Sequence, residues 1–567
     1  MDGQPGDRAE ARVIRIGNAS GFYGDRFSAV EEMLTGGALD VLTGDYLAEL
    51  TMLILARDRR RDPALGYART FLRQMETGLG LALDKGVRIV VNAGGLNPAG
   101  LAAALRELAG KLGLAPKIGY VTGDELPPGD ALAVNAYLGA FGIAECLTAG
   151  ADVVVTGRVT DASLVVGPGI ARYGWGRTDL DALAGATVAG HILECGAQAT
   201  GGNYAFFTEL ADARHPGFPI AELAADGSCV VTKHDGTGGA VTVETVTAQL
   251  LYEIGAPAYL GPDVVTHLDT VALRAAGRDR VSVSGVRGSP PPPTLKTGAN
   301  RLGGYRNTMT FVLTGLDIEA KAALVRDQLT TSVGKDGLEL VLARTDHPDA
   351  ETTETASALL RVHLTDADPA RAGRTFSQAT VELALASYPG CHLTTPPGDA
   401  TPFGVFTAGS VFQWDVPHVA VLPSGERVPI PPPVVTEVPA EPPQPTPPPL
   451  ARPDATTFRV PLGTVVGARS GDKGGDANVG VWARNPRAYE WLRGYLTVGE
   501  LRALLPETAG LAIDRYELPN LRAVNFVVHG LLGAGVAAST RFDPQAKALG
   551  EWLRARLVDI PVALGDT

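Results

Sequence analysis

The sequence is poor in the features that mark secreted, membrane-spanning or nucleic-acid-binding chains. Its four cysteines, Cys146, Cys195, Cys229 and Cys391, lie far apart and form no CxxC pair. That excludes a disulfide framework and a cysteine knuckle, and leaves reduced thiols in a cytoplasm as the expectation. No run approaches the ~18 uninterrupted apolar residues of a membrane span. The opening MDGQPGDRAEARVIRIG has neither the cationic start nor the apolar stretch of a signal peptide. Positive charge is also short: 49 Lys and Arg against 62 Asp and Glu give a net charge of −13. A nucleic-acid binder needs a basic face, so that class is disfavoured. Neither GxGxxG nor GxxxxGK(S/T) occurs, which argues against dinucleotide and ATP chemistry.

Glycine and proline are abundant instead, with 69 Gly and 41 Pro in 567 residues. Hydrophobic residues make up 45% of the chain, enough for large cores, and ~150 residues per domain suggests two to four domains. The Pro-rich run at 429–449 cannot form helix or central strand and reads as a stiff spacer. The expected organisation is an α/β region over 12–428, a linker over 429–453 and a small α+β domain over 454–563.

Before residue 230, short apolar strands alternate with helices. Strands are predicted at 12–17, 40–43, 87–92, 117–121 and 152–156. Helices are predicted at 26–35, 48–58, 68–85 and 98–112, with Pro98 in the first turn. This spacing predicts a large N-terminal parallel sheet, open or closed into a barrel. From about 226 to 420 the texture changes to Val- and Thr-rich runs at 240–246, 280–286, 308–313, 360–364 and 380–386, with a helix at 317–329, which reads as an α+β extension. The tail reads as a strand at 464–466, a Gly-rich loop, strands, and a final helix at 545–557.

Ligands of parallel α/β sheets sit beyond the carboxyl ends of the strands, where helix N-termini and loop amides converge. Four loops there combine Gly with Asn, Asp, Arg or Ser: 17–25, 43–46, 92–98 and 156–163. Each loop alone also reads as turn and cap residues. A helical reading of 191–195 puts His191, Glu194 and Cys195 on one face at the spacing metal ligands use, but packing above a Gly cap is favoured over a zinc site, and catalysis by His191 or Cys195 stays open. Lys233-His234-Asp235 before Gly236-Thr237-Gly238-Gly239 reads as an anion-binding turn with a base, or as a plain turn. The densest signal is 468–478, ARSGDKGGDAN, three glycines among both charge signs. There Lys473 suits an anion, Ser470 and amides complete a nest, and Asp472 or Asp476 suits a base, a metal ligand or a clamp for Lys473.

These loops carry a resemblance. Residues 17–22 (GNASGF), 91–98 (VNAGGLNP), 156–163 (TGRVTDAS) and 236–239 (GTGG) resemble the acyclic terpene utilisation (AtuA) family, and 470–474 (SGDKG) resembles its ferredoxin-like C-terminal domain. The resemblance spans about 12–561, the long Pro-rich linker being the main departure. It implies a ferredoxin-like tail and a place in the breakdown of branched and terpenoid acids, whose intermediates are acyl-CoA thioesters. It brings no settled catalytic residues.

The resulting expectation is a lyase without redox cofactor, acting on a branched acyl substrate (an acyl-CoA or a β-hydroxy or β-oxo acid) by elimination, hydration or carbon–carbon cleavage beside a carbonyl. The catalytic candidates are Asp45, Asp161, Asp472, Lys473 and His191. Substrate contacts are expected from Asn18, Ser20, Asn92, Gly94, Gly95, Asn97, Arg158, Ser163, Gly238, Ser470, Gly471 and Asn478, with Arg158 and Lys473 holding carboxylate or phosphate. A small-molecule acyl partner, no nucleic acid, no membrane and a homo-oligomer are expected. Two alternatives stay open: a non-catalytic assembly subunit whose tail docks on a partner, and a metal-dependent hydrolase using a divalent ion with Asp residues and His191 or His234.

Overall fold

The computed structural model describes residues 13–394, 396–440, 445–449 and 456–564. Two compact units emerge, residues 301–405 with 537–542 forming one and the remaining described residues the other.

The larger unit is built on an open eleven-stranded sheet, so the barrel alternative falls away. Five parallel strands make its centre, in the spatial order Ile14–Asn18, Val41–Gly44, Arg88–Val91, Val153–Thr156, Ile118–Thr122. Their near-continuous Val and Ile runs are buried, as strands covered on both faces require. Helices Ala29–Gly36, Arg69–Lys85 and Pro98–Lys111 pack one apolar layer with the sheet. Helices Phe141–Thr148, Ser163–Tyr173 and Leu180–Leu193 belong to another. Antiparallel strands extend both edges: Pro219–Leu223, Cys229–Lys233, Val281–Ser284 and Ala272–Ala275 on one side, Val419–Val421 and Arg427–Pro429 on the other.

The tail forms a four-stranded antiparallel sheet, ordered Val466–Lys473, Asp476–Ala483, Ala523–Val528, Ile513–Leu518. Helices Pro486–Tyr495, Val498–Leu504 and Leu549–Ala555 share its core. The tail packs on the parallel-sheet region of the same chain, and Trp482, Leu518, Leu521 and Ala523 join that region's core. The Pro-rich run does not hold the two apart: Glu437 N donates to the Pro291 carbonyl at 3.0 Å, and Pro431 O accepts from Arg177 at 2.6 Å. Residues 441–444 and 450–453 of the linker lie outside the described residues.

In the smaller unit, strands Leu338–Ala343 and Ser357–Asp366 join residues 301–314 of the long strand Thr294–Thr314. They carry helices Ile318–Val333 and Phe376–Glu382 over a core around Phe311, Leu360 and Phe376.

Three predicted elements change. The run at 240–246 enters helix Val243–Leu250, where the side chain of Thr242 caps the N-terminus by accepting from Thr245 N. The run at 380–386 lies across helix Phe376–Glu382 and the turn after it. The first is β-branched and becomes helix against its local propensity; the second, Thr-Val-Glu-Leu-Ala-Leu-Ala, is mostly residues of good helix propensity. The predicted strand at 464–466 is a short helical turn, Leu462–Thr464, with a strand starting at Val466. Consequently the Gly-rich segment at 468–478 is no open loop. It is a hairpin closed by Gly474 and Gly475, with Lys473 opposite Asp476 and Gly474 in the left-handed region that the turn requires.

Candidate active site

Asparagine side chains lock the hairpin onto the parallel-sheet region. Asn478, fully buried, accepts from Glu253 N at 2.8 Å and donates to Leu251 O and to Asn525 Oδ1, each at 2.8 Å. Asn525 donates to Gly255 O at 2.8 Å, and Asn520 donates to Leu268 O and Val271 O. Backbone groups of 251–255, left without helical partners beyond helix Val243–Leu250, are thereby satisfied. Gly471 is needed for the fit, since a Cβ there would stand 2.4 Å from the Tyr252 ring. The guanidinium of Arg469 lies 4.4 Å above that ring and donates to Asn203 O.

This docking fixes Lys473. Its Nζ donates to Glu253 O at 2.9 Å, and its stem passes Gly255. Burial lowers the amine's pKa, the Lys296 ammonium adds to that, and Glu253, Glu49 and Glu194 oppose it. Lys473 and Lys296 are both exposed, however, so neither lies in packed interior. Lys296 Nζ sits 4.7 Å from the Tyr137 ring and 5.9 Å from that of Phe406.

The end of helix Leu180–Leu193 supplies the second wall. His191 Nδ1 lies 2.9 Å from Glu194 Oε1. Burial pushes His191 down to about 4, making it neutral at pH 7 and a holder rather than a cation. Burial, then Asp161 and Glu253, pushes the Glu194 carboxyl well above its ordinary value. Glu194 Oε2 is buried without a hydrogen-bond partner, as are Gln249 Oε1 and Arg469 Nη2. The Cys195 thiol is raised by burial, Glu253 and Glu194, and the first sheet loop packs against its backbone at Gly21.

Strand-end loops complete the recess. Arg158 and Asp161 form an ion pair, Nη1 to Oδ1 3.1 Å, with Arg158 buried and Asp161 28% exposed. Arg158 also donates to Leu47 O and lies 4.2 Å over the Tyr137 ring, and its backbone N donates to Asp124. Asp45 accepts from Asn92 Nδ2 at 2.6 Å and from Leu47 N. Burial, then Asp161, raises its pKa well above the ordinary value. Asp472 is raised to about 7 by burial, Glu253 and Glu49. Glu253, at positive φ, is raised by burial.

Asp45, Asp161, Asp472, Lys473, His191 and Arg158 thus lie in one neighbourhood, with Asn92 behind Asp45. The other candidates hold backbone. Asn18 accepts from Ser20 N, and Ser20 Oγ donates to Asp45 O and Phe22 O. Asn97 caps helix Pro98–Lys111 through Gly100 N, and Ser163 bonds Thr160 at the next helix start. Gly94 lies against Thr156 O, Gly95 sits in a left-handed turn, and Gly238 lies against His215 O. Ser470 Oγ accepts from Gly550 N, and Asp476 pairs with His529 rather than clamping Lys473. His234 is turned to Met33 O. The residues that sequence reasoning passed over are Glu253, Tyr252, Tyr259, Tyr137, Lys296 and Arg469. Only the dipeptide Glu-Ile before Gly255, just past a helix, and the lone Arg469 within the Gly-rich motif offered a local signal.

Among the described residues no three His, Cys, Asp or Glu side chains are placed to hold a metal ion, and no helix is long and apolar enough to cross a membrane. The family model for the acyclic terpene utilisation family protein AtuA matches residues 14–422. The chain belongs to that family. The AtuA ferredoxin-like domain matches 460–559, the sheet that carries Lys473. No curated protein and no solved structure matches. Membership in the AtuA family fits a general role in terpenoid catabolism.

Proposed function

We propose that this AtuA-family chain is an enzyme that acts on a branched or terpenoid acyl substrate by acid–base chemistry next to a carbonyl. The observation that supports the reading is the nearness of the Asp161–Arg158 ion pair, four carboxyls of raised pKa (Asp45, Glu194, Glu253 and Asp472) and the Lys473 amine. Carboxyl groups whose surroundings drive them apart divide the roles of acid and base. Asp161, held by Arg158, is the base that takes a proton α to the carbonyl. Glu194, kept protonated by burial, is the acid. Lys473 reaches the carbonyl oxygen or a neighbouring carboxylate, and Lys296 draws in the anionic end of the substrate. Elimination, hydration and carbon–carbon cleavage all need these parts and no redox group.

The test is turnover on a panel of branched β-oxo, β-hydroxy and α,β-unsaturated acids and their CoA thioesters, with deuterium uptake from heavy water read by mass spectrometry. Wild type should exchange the α-hydrogen of at least one member, and Asp161→Asn should lose that exchange. Unchanged exchange in folded Asp161→Asn and Lys473→Met would remove this site from the chemistry.

A further inference from the structure

Histidine changes charge near neutral pH, and the molecule holds its histidines in two ways. Burial lowers the pKa of His191, His234, His363 and His418, leaving those rings neutral at pH 7. His529 is held the other way. Its side chain is 40% exposed, and each ring nitrogen meets a carboxylate. Nδ1 lies 2.9 Å from Asp476 Oδ2, and Nε2 lies 3.0 Å from Asp514 Oδ2. A carboxylate only accepts, so both nitrogens donate, and an imidazole with two N–H groups is a cation. Hydrogen bonding to Asp514, joined by Asp476 and partly offset by burial, raises the pKa of this ring. The carboxylates flank the ring instead of surrounding one point, which is the geometry of hydrogen bonding and not of metal coordination.

The three residues come from three segments of the tail. Asp476 opens the second strand of the Lys473 hairpin and stands opposite Lys473, whose ammonium turns away to Glu253 O. Asp514 lies on Ile513–Leu518, the edge strand of the tail's sheet. His529 directly follows Ala523–Val528, the strand between them. The segment after His529 also grips the hairpin turn: Gly530 N donates to Asp476 Oδ1 at 2.8 Å, and Leu532 N to Gly475 O at 2.9 Å. Behind Asp514 stands the Tyr516 hydroxyl, 3.3 Å from its Oδ2.

We propose that His529 is a pH-sensitive clasp, which as a cation fastens the turn of the Lys473 hairpin to the edge strand and lets go when it loses its proton. A neutral imidazole keeps one N–H and presents a lone pair on the other nitrogen. Asp476 is fixed by Gly530 N as well, so the N–H stays on Nδ1 and the lone pair faces Asp514, which it repels. The edge strand then loses its side-chain tie to the turn. The tie is complete below the ordinary histidine value of 6.5 and is lost as pH rises through the raised one. The clasp does not depend on which reaction the chain catalyses.

The experiment follows two signals of the full chain from about pH 5 to about pH 9. One is NMR of carbon-labelled histidine Cε1, with the His529 resonance identified among nine histidines by its absence in His529→Gln. The other is amide hydrogen exchange of peptides covering 473–476 and 529–533, expressed as protection so that the intrinsic pH dependence of exchange drops out. His529 should titrate above its ordinary value, and protection of both peptides should fall about fivefold with the same midpoint. Asp514→Asn, a change at an exposed side chain, should lower that midpoint by at least roughly half a pH unit and flatten the step in protection. A His529 that titrates at or below the ordinary value overturns the clasp. Level protection while His529 titrates overturns it too, because the three residues are then a surface ion pair that fastens nothing. So does an unmoved midpoint in Asp514→Asn.

Discussion

Two sets of polar residues meet in the larger unit, and they differ in where their hydrogen bonds go. The loop set, Asn18, Ser20, Asn92 and Asn97, is committed to neighbouring backbone or to a single carboxylate. The recess set, Asp161, Glu194, Asp472 and Lys473, keeps exposed surface, unpartnered oxygens or displaced protonation. Buried polar groups are normally satisfied, and the unpartnered Glu194 Oε2 and the displaced Asp472 proton set the second group apart from the first. Residue type alone does not separate the sets, since both are rich in the same polar residues.

The comparison can be broken at either end. Asp161→Asn or Lys473→Met should lower kcat/KM at least about 1000-fold, about 4 kcal/mol, with circular dichroism unchanged. Asn478→Ala should act on the clamp beneath Lys473: it leaves Glu253 N and Leu251 O unpaired, and should cost about 3 kcal/mol in urea unfolding. Asp472→Asn tests the recess through pH. The folded chain holds that proton up to about 7, against an ordinary 3.8, so the contribution is complete below pH 4 and lost as pH rises through 7. Wild type should therefore lose roughly 1–3 kcal/mol relative to the variant between pH 4 and 8, read as converging or crossing melting temperatures; this allows for solvent screening. The smallest effect belongs to the loop set. Asn97→Ala should cost about 1 kcal/mol of helix capping and leave turnover within about twofold.

Much of the architecture was legible in the chain itself. The five parallel strands and their helices follow from short Val and Ile runs alternating with helical periodicity, and Asn97-Pro98 announces a helix start that the structure uses. Asp45, Arg158, His191 and Lys473 stand out because each adjoins a glycine, and Asp161 because it shares the loop of Arg158. What sequence could not carry was distance across the chain. Glu253 and Lys473 are 220 positions apart and meet through an asparagine clamp that no local pattern encodes. Residues 468–478 of the hairpin read as a loop because glycine and charge dominate them; in the structure they pair as strands packed on Tyr252. Tyr137 and Lys296, from separate segments, became visible only as a ring and a cation in contact.

The asparagine clamp also orders events during synthesis. The wall that carries Lys473 pairs with the strand Ala523–Val528, which leaves the ribosome later still. Until that strand emerges, the backbone groups of 251–255 lack the asparagine side chains that satisfy them. Lys473 therefore reaches the Glu253 carbonyl only once the tail's sheet has been made.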